Sequence, residues 1–411
     1  MRTGNRGIAS KHQKVSSILG RACCAGLLFF MPVIPTIGRA QVQQQTKPTA
    51  AESSPEPAAP AILAAFDKYE VVGMSEAHGM KDVDDFILSL IRNRAFPEKV
   101  NDIAVECGNS LYQPILDRYI AGEDVPFAEV RKVWRNTTQS MCGTSGFFEQ
   151  FFPLVRAINQ KLPAANRLRV LAGDPPIDWE NVKRSEDITK FLDRDGSIAA
   201  VMEEEVLSKH RKALMLFGIF HLMHGAGIGA GNAVTIYEKH YPKLTFVIGS
   251  LDTFDQDLAA PSKNSFENWP APSLARAKGT WLGGLQVSSF LPTPISVDED
   301  CNVHSDPPKN LQKPMADLVD AFLYLGPQDL ALWEQMPADI ALDADYRLEL
   351  QRRESLSGFP SPTPGSLKEA DKQIMSGAEN PVVIKPPDPK SFIPLIRQGC
   401  LDRKNGHSTA Q

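Results

Sequence analysis

The chain predicts an α/β protein: a mostly parallel central sheet with helices on both faces and its site at the carboxyl ends of the strands. Three observations predict it. Short apolar runs alternate with helix-period segments between about residues 62 and 255, the signature of βαβ units. The runs are apolar throughout rather than alternating, as strands buried on both faces are. Several of them end in histidine or a carboxylate, and in open α/β sheets ligands and catalytic groups collect at those ends.

The elements follow in order. The first run is Tyr69-Glu-Val-Val-Gly-Met-Ser-Glu-Ala-His-Gly79, closing in Glu76 and His78. Asp82 then stands as a cap for a helix with Val83, Phe86, Ile87, Leu90 and Ile91 on one face, the spacing of an amphipathic helix. The second run, Asn101-Asp-Ile-Ala-Val-Glu-Cys-Gly108, closes in Glu106, and Ser110-Leu-Tyr-Gln113 reads as a capping box for a helix to about Ile120. Phe127 to Trp134 and Phe147 to Gln160 read as helices, the phenylalanines of the second as core or pocket lining. Arg167 to Asp174 is the next strand, ending in a carboxylate, and Ser197 to Lys209 is helical. The third site-bearing run, Ala213 to Phe220, leads into His221-Leu-Met-His224. Asn232 to His240 is helical and Leu244 to Gly249 a strand, with a late strand at Asp317 to Tyr324 and a helix at Arg347 to Glu354.

The two ends are of another kind. The first 51 residues hold no Asp or Glu, carry Arg2, Arg6, Lys11, Lys14 and Arg21, and then an apolar stretch broken by Pro32 and Pro35. This describes a secretory signal peptide over 1–40. The stretch is too short and too broken for a stable membrane span. Residues 41–61, rich in Gln, Pro, Ala and Thr, read as a linker, 62–354 as the folded domain and 355–411 as a Pro/Ser-rich tail. A secreted or periplasmic location follows, and it permits disulfides. Processing after Ala40 leaves Cys107, Cys142, Cys301 and Cys400, whose pairing the sequence does not choose. A net charge of −5 and no basic block beyond the start exclude a general nucleic-acid partner. A small-molecule substrate is the expected partner.

The chemistry lies in the run ends. Residues two apart on an extended strand share a face, so Glu76 and His78 can meet. A carboxylate beside a histidine orients its ring and favours its charged form, which is how a general base is prepared. Glu106 can orient the base or a water, or serve as a second acid. His221 and His224, three apart, are not an HExxH motif but can share one helical face or one metal. With Glu76, Glu106 and Asp174 they make a mixed N/O set open to a divalent metal. Asp174 is the substrate-contact candidate at its strand end. The plain alternative is polar side chains in solvated turns. The glycine-rich Gly225 to Asn232 fits neither GxGxxG nor GxxxxGK[ST]. Gly73-Met-Ser75-Glu-Ala77 has alanine where a nucleophile elbow needs glycine.

At Ser75-Glu-Ala-His-Gly79, Val105-Glu106 and His221-Leu-Met-His224 the chain resembles the erythromycin esterase, ChaN-like and Tiki superfamily. The resemblance covers roughly residues 65 to 255, including Gly231 to Gly249 as a helix leading into a strand. It implies His78 as the base that activates water for ester hydrolysis, Glu76 and Glu106 as its acidic partners, and His221 and His224 as the opposite wall. It also implies two other outcomes: a periplasmic haem- or metal-binding protein of the ChaN-like type, and a metal-dependent peptidase of the Tiki type. Ser75 replaces the usual glycine, Glu76 and His78 stand one residue closer than in the esterases, and the esterases' arginine soon after the histidine has no match at Arg92 or Arg94.

Overall fold

The computed structural model describes residues 51–76, 78–227, 231–251, 268–287, 296–304, 312–357 and 367–379, with positions 266, 394, 397 and 401. The expected signal peptide lies outside the described residues. Ala50 to Gln411 form one compact unit. Among the described residues no helix is long and apolar enough to cross a membrane.

The strands are β1 (Pro55–Pro57), β2 (Val71–Ser75), β3 (Asp102–Asn109), β4 (Arg169–Asp174), β5 (Ala213–Phe217), β6 (Thr245–Ser250), β7 (Ser273–Arg276), β8 (Ser296–Val297), β9 (Val303–His304) and β10 (Ala321–Tyr324). All but β8 and β9, which pair with each other, form one sheet in the order β1-β7-β10-β6-β2-β5-β3-β4. From β10 across to β4 every pairing is parallel, and only β7 runs antiparallel to its neighbours β10 and β1. This is the expected mostly parallel α/β sheet with an antiparallel edge.

The pleat explains why the runs are apolar throughout. Along β5, Leu214 and Leu216 enter the core under one face, while Ala213, Met215 and Phe217 enter the core under the other. Both faces are covered, so both sets of alternate residues are buried. On the first face lie α1 (Ala58–Ala65), α2 (Lys81–Arg92), α4 (Gln113–Ala121), α5 (Phe127–Arg135) and α6 (Gly146–Asn159), with α3 (Phe96–Lys99) between α2 and β3. On the second lie α7 (Arg194–Glu205), α8 (Ile219–Leu222) and α9 (Ala233–Tyr237). Phe147, Phe148, Phe151 and Phe152 of α6 are all core.

Several sequence expectations are corrected. The linker expected to Ala61 ends sooner: Pro55–Pro57 pairs with β7, and Ala58, Ala61 and Ile62 of α1 are buried. The tail expected from Ser355 contains the end of helix Ala344–Ser357 and a helix at Leu367–Glu379. Asp82 does not cap α2, because its Oδ2 instead accepts the backbone N–H of Leu332 at 2.9 Å. The capping box at Ser110 does not form. A 3-10 turn occupies Ser110–Tyr112 with Asn109 as its cap, and the Gln113 side chain bridges to Val170 O and Ala172 N of β4.

Strand β3, next to the edge strand β4, carries a buried carboxylate toward each end. Asp102 is fully buried and accepts from Arg169 Nε at 2.7 Å and from Arg211 Nε at 2.6 Å. Such charges are tolerated inside a protein only when paired. Near the other end, Cys107 forms a disulfide with Cys142, joining β3 to the turn Ser140–Thr144 ahead of α6. This settles one of the pairings the sequence leaves open, and Cys301 is disulfide-bonded as well.

Candidate active site

Neighbouring strands deliver their end residues side by side. In sheet order, Glu76 follows β2, His221 follows β5, Glu106 lies in β3 and Asp174 ends β4. The β2–β5 ladder runs to the site itself, since Glu76 N donates to Phe217 O at 3.0 Å. Glu76, Glu106 and Asp174 are all buried.

His78 bridges two of these carboxylates. Its Nδ1 lies 2.8 Å from Glu76 Oε2 and its Nε2 3.5 Å from Glu106 Oε1. The contact to Glu76 is an ion pair without hydrogen-bond alignment, so Oε2 has no hydrogen-bond donor of its own. Its side chain is 23% exposed, so solvent and a ligand can reach it. Gly79, next along, adopts φ +83°, which favours glycine, with Trp333 over it.

Glu106 is the hub. Its Oε2 accepts the backbone N–H of Gly218 at 2.6 Å, and its Oε1 accepts from Arg194 Nη2 at 2.8 Å. His221 Nε2 stands 3.5 Å from the same Oε1. Gly218 sits where a Cβ would lie 3.3 Å from Glu106 Oε2, so the glycine lets the backbone approach the carboxylate. Arg194 also donates through Nε to Asp174 Oδ1 at 3.0 Å, and Asp174 is held from behind by Thr138 N and Oγ1, both at 2.6 Å. On the far side Asp195 Oδ1 contacts His221 Nδ1 at 2.7 Å and accepts Ala233 N at the start of α9 at 2.8 Å.

The electrostatics follow from this packing. Burial alone would lower the pKa of His78, but Glu76 and Glu106 outweigh it and hold the imidazole well above the usual histidine range. Burial likewise opposes the charge on His221, and the hydrogen bonds to Asp195 and Glu106 overcome it, raising the group to about 9. Burial would raise Glu106, yet His78, His221 and Arg194 hold it well below the usual carboxylate range. For Asp174 burial wins, and its pKa is raised despite Arg194 and Thr138. The resting site is therefore a network of imidazolium, guanidinium and carboxylate groups, not a free base waiting beside an acid.

The structure brings Glu76, His78, Glu106, Asp174 and His221 together. It does not bring His224 to them. His224 instead lies between Glu238 Oε2 at 3.0 Å and Asp320 Oδ2 at 3.1 Å. That group borders a separate cavity of about 470 Å³ beside Lys68, Tyr69 and Lys243. The α8 helix is one turn long, so His221 and His224 do not share a helical face. Sequence reasoning missed Arg194 and Asp195. They sit in Asp193-Arg-Asp-Gly196, which reads as a polar turn, whereas Asp193 caps α7 and the helix begins at Arg194.

Behind the His78 loop is a second acidic group. Asp84 of α2 is buried with neither carboxyl oxygen hydrogen-bonded. Burial, then Glu76 and Glu334, raise it to about 10. Glu334, which accepts Ser145 Oγ at 3.2 Å, is raised to about 7, chiefly by burial.

The two histidines of this site, His78 and His221, do not suit haem ligation. An axial histidine must offer a ring nitrogen to an apolar slot, and both nitrogens of His78 and of His221 face carboxylates or a guanidinium. The fit to a divalent metal is better, since Glu76, His78 and Cys107 place one donor atom each within 4.8 Å of one another. The Cys107 sulfur, however, is in the disulfide.

The chain matches no family profile and no curated protein. Among solved structures it is similar to a Bacillus cereus protein at 11% identity, covering 67% of this chain and 95% of that one with a TM-score of 0.42. It is similar to the type III effector HopBA1 at 15% identity, covering 49% and 87% with a TM-score of 0.31. It is also similar to the haem-binding ChaN of Campylobacter jejuni at 13% identity, covering 46% and 84% with a TM-score of 0.27.

Proposed function

We propose that this chain is an exported hydrolase that cleaves an ester or similar bond with water activated at His78. The observation that carries the proposal is the single imidazole suspended between Glu76 and Glu106 at the strand ends, open to solvent on one side. Export is supported by the basic-then-apolar start of the chain and by the disulfide beside the site.

In this mechanism His78 first gives up its second proton to solvent; Glu76 then faces Nδ1 and fixes the ring, leaving Nε2 to accept a proton from water. The hydroxide formed attacks the carbonyl carbon. Arg194 and His221 lie close by as cations for the developing oxyanion. The tetrahedral intermediate collapses, and His78 returns its proton to the departing alcohol. Proton and bond counts close, and no group other than water and substrate is consumed.

The test is kinetic. His78→Ala should lower ester turnover by about 10²–10⁴-fold, the range for loss of a general acid–base group, while circular dichroism stays native. A folded variant with undiminished turnover would remove His78 from the reaction.

A further inference from the structure

The disulfide lies against the site. Cys107 follows Glu106 directly on β3 and is fully buried, and its partner Cys142 is buried too. The Cys107 sulfur, a Glu76 oxygen and a His78 ring nitrogen converge within 4.8 Å. The same Glu76 carries a buried oxygen, Oε2, that stands 2.8 Å from His78 Nδ1 and accepts no aligned hydrogen bond among the described residues. A metal ion can take the place of the proton between such a carboxylate and imidazole, since only the deprotonated forms ligate. A thiolate, an imidazole and a carboxylate are the ligand types zinc takes, usually four-coordinate. The fourth position can fall to water.

We propose that the Cys107–Cys142 disulfide gates a zinc site, so that reduction exposes Cys107 as the third protein ligand beside Glu76 and His78. The chemistry balances with a dithiol or phosphine reductant. Two electrons and two protons cleave the sulfur–sulfur bond and leave two thiols, and the reductant is oxidised to a disulfide or phosphine oxide, water supplying the oxygen in the latter case. Zinc then displaces the Cys107 thiol proton and any second proton on His78 to solvent, because only the deprotonated forms ligate. Oxidised, the cluster has a carboxylate and an imidazole but no soft donor. Reduced, it has all three. The site shares Glu76 and His78 with the hydrolytic proposal but does not depend on it, and its readout is spectroscopic, so the two fail separately.

The experiment uses the full chain and cobalt(II) as the probe. Phosphine-reduced protein should take up one cobalt per chain and show a thiolate-to-cobalt charge-transfer band with visible bands of tetrahedral cobalt, both lost on adding zinc. The oxidised protein should show neither. Cys142→Ser should show the band without reductant, because Cys107 is then already free. Cys107→Ser should lose it under all conditions, and Glu76→Gln should weaken it. A folded Cys142→Ser or reduced wild type without the band overturns the proposal, as does an unchanged band in Cys107→Ser. If both the reduced protein and Cys142→Ser unfold, the disulfide is a staple and no gate, which also overturns it.

Discussion

Three of the described histidines sit between two carboxylates; His78 and His221 share Glu106 while His224 stands apart, and the surroundings of the carboxylates differ. His224 lies between Glu238 and Asp320, with Asp320 also accepting the Val247 backbone N–H at 2.8 Å. His78 lies between Glu76 and Glu106, and Glu106 is shared with His221, Arg194 and the Gly218 backbone. In both places burial opposes the imidazolium and the carboxylates prevail. The imidazoles of His224 and His78 are equally exposed; the first is held by two part-exposed carboxylates. The second belongs to a buried network, in which several cations face one carboxylate. A histidine between two acids is thus no sign of chemistry alone. What stands behind the acids distinguishes a clamp from a working site.

The largest effect should come from cutting the network at its cation. Arg194→Met leaves Glu106 and Asp174 buried without their guanidinium, and removal of one partner of a buried pair costs about 3–5 kcal/mol. Urea unfolding should show a loss of that size, and unchanged stability would mean that Arg194 does not hold the network. Next is the pH dependence of turnover. His78 must shed its second proton to act as a base, and its pKa is held above the ordinary range. Ester kcat/KM should therefore climb by about tenfold per pH unit from neutral until that group titrates. A rate that is flat from pH 6.5 upward would assign water activation to another group.

The smallest effect belongs to the clamp. His224→Gln should cost about 1 kcal/mol and leave turnover unaltered. The pKa of His224 rises from 6.5 to about 9 on folding. Its contribution is thus full below about 6.5 and fades as pH rises through about 9. Wild-type Tm should fall over that interval more steeply than the variant's, and parallel curves would deny the clamp its role.

The strands were legible because an all-apolar run of five to eight residues has few other uses, and Glu106, Asp174 and His221 were legible because they close such runs. Arg194 and Asp195 were not, since nothing local distinguishes them from a solvated turn. Their role comes from α7 crossing the ends of β3 and β4, a tertiary fact. The parting of His221 and His224 was also hidden, because a spacing of three suggests a shared face only if the helix continues, and α8 ends at Leu222. The choice of Cys142 for Cys107 required the fold.

The two buried carboxylates of β3 have a further consequence. An interior strand that is apolar on both sides has little in its hydrophobic pattern to fix its alignment against its neighbours, since a slip by two residues keeps every side chain on its own face. Asp102 and Glu106 remove that freedom. Each is gripped by arginines from elements outside β3: Arg169 and Arg211 at one end, Arg194 at the other. Sliding the strand in either direction would strand both charges at once. The ionic pairs thus index the strand, much as a polar residue in a coiled-coil seam sets its register.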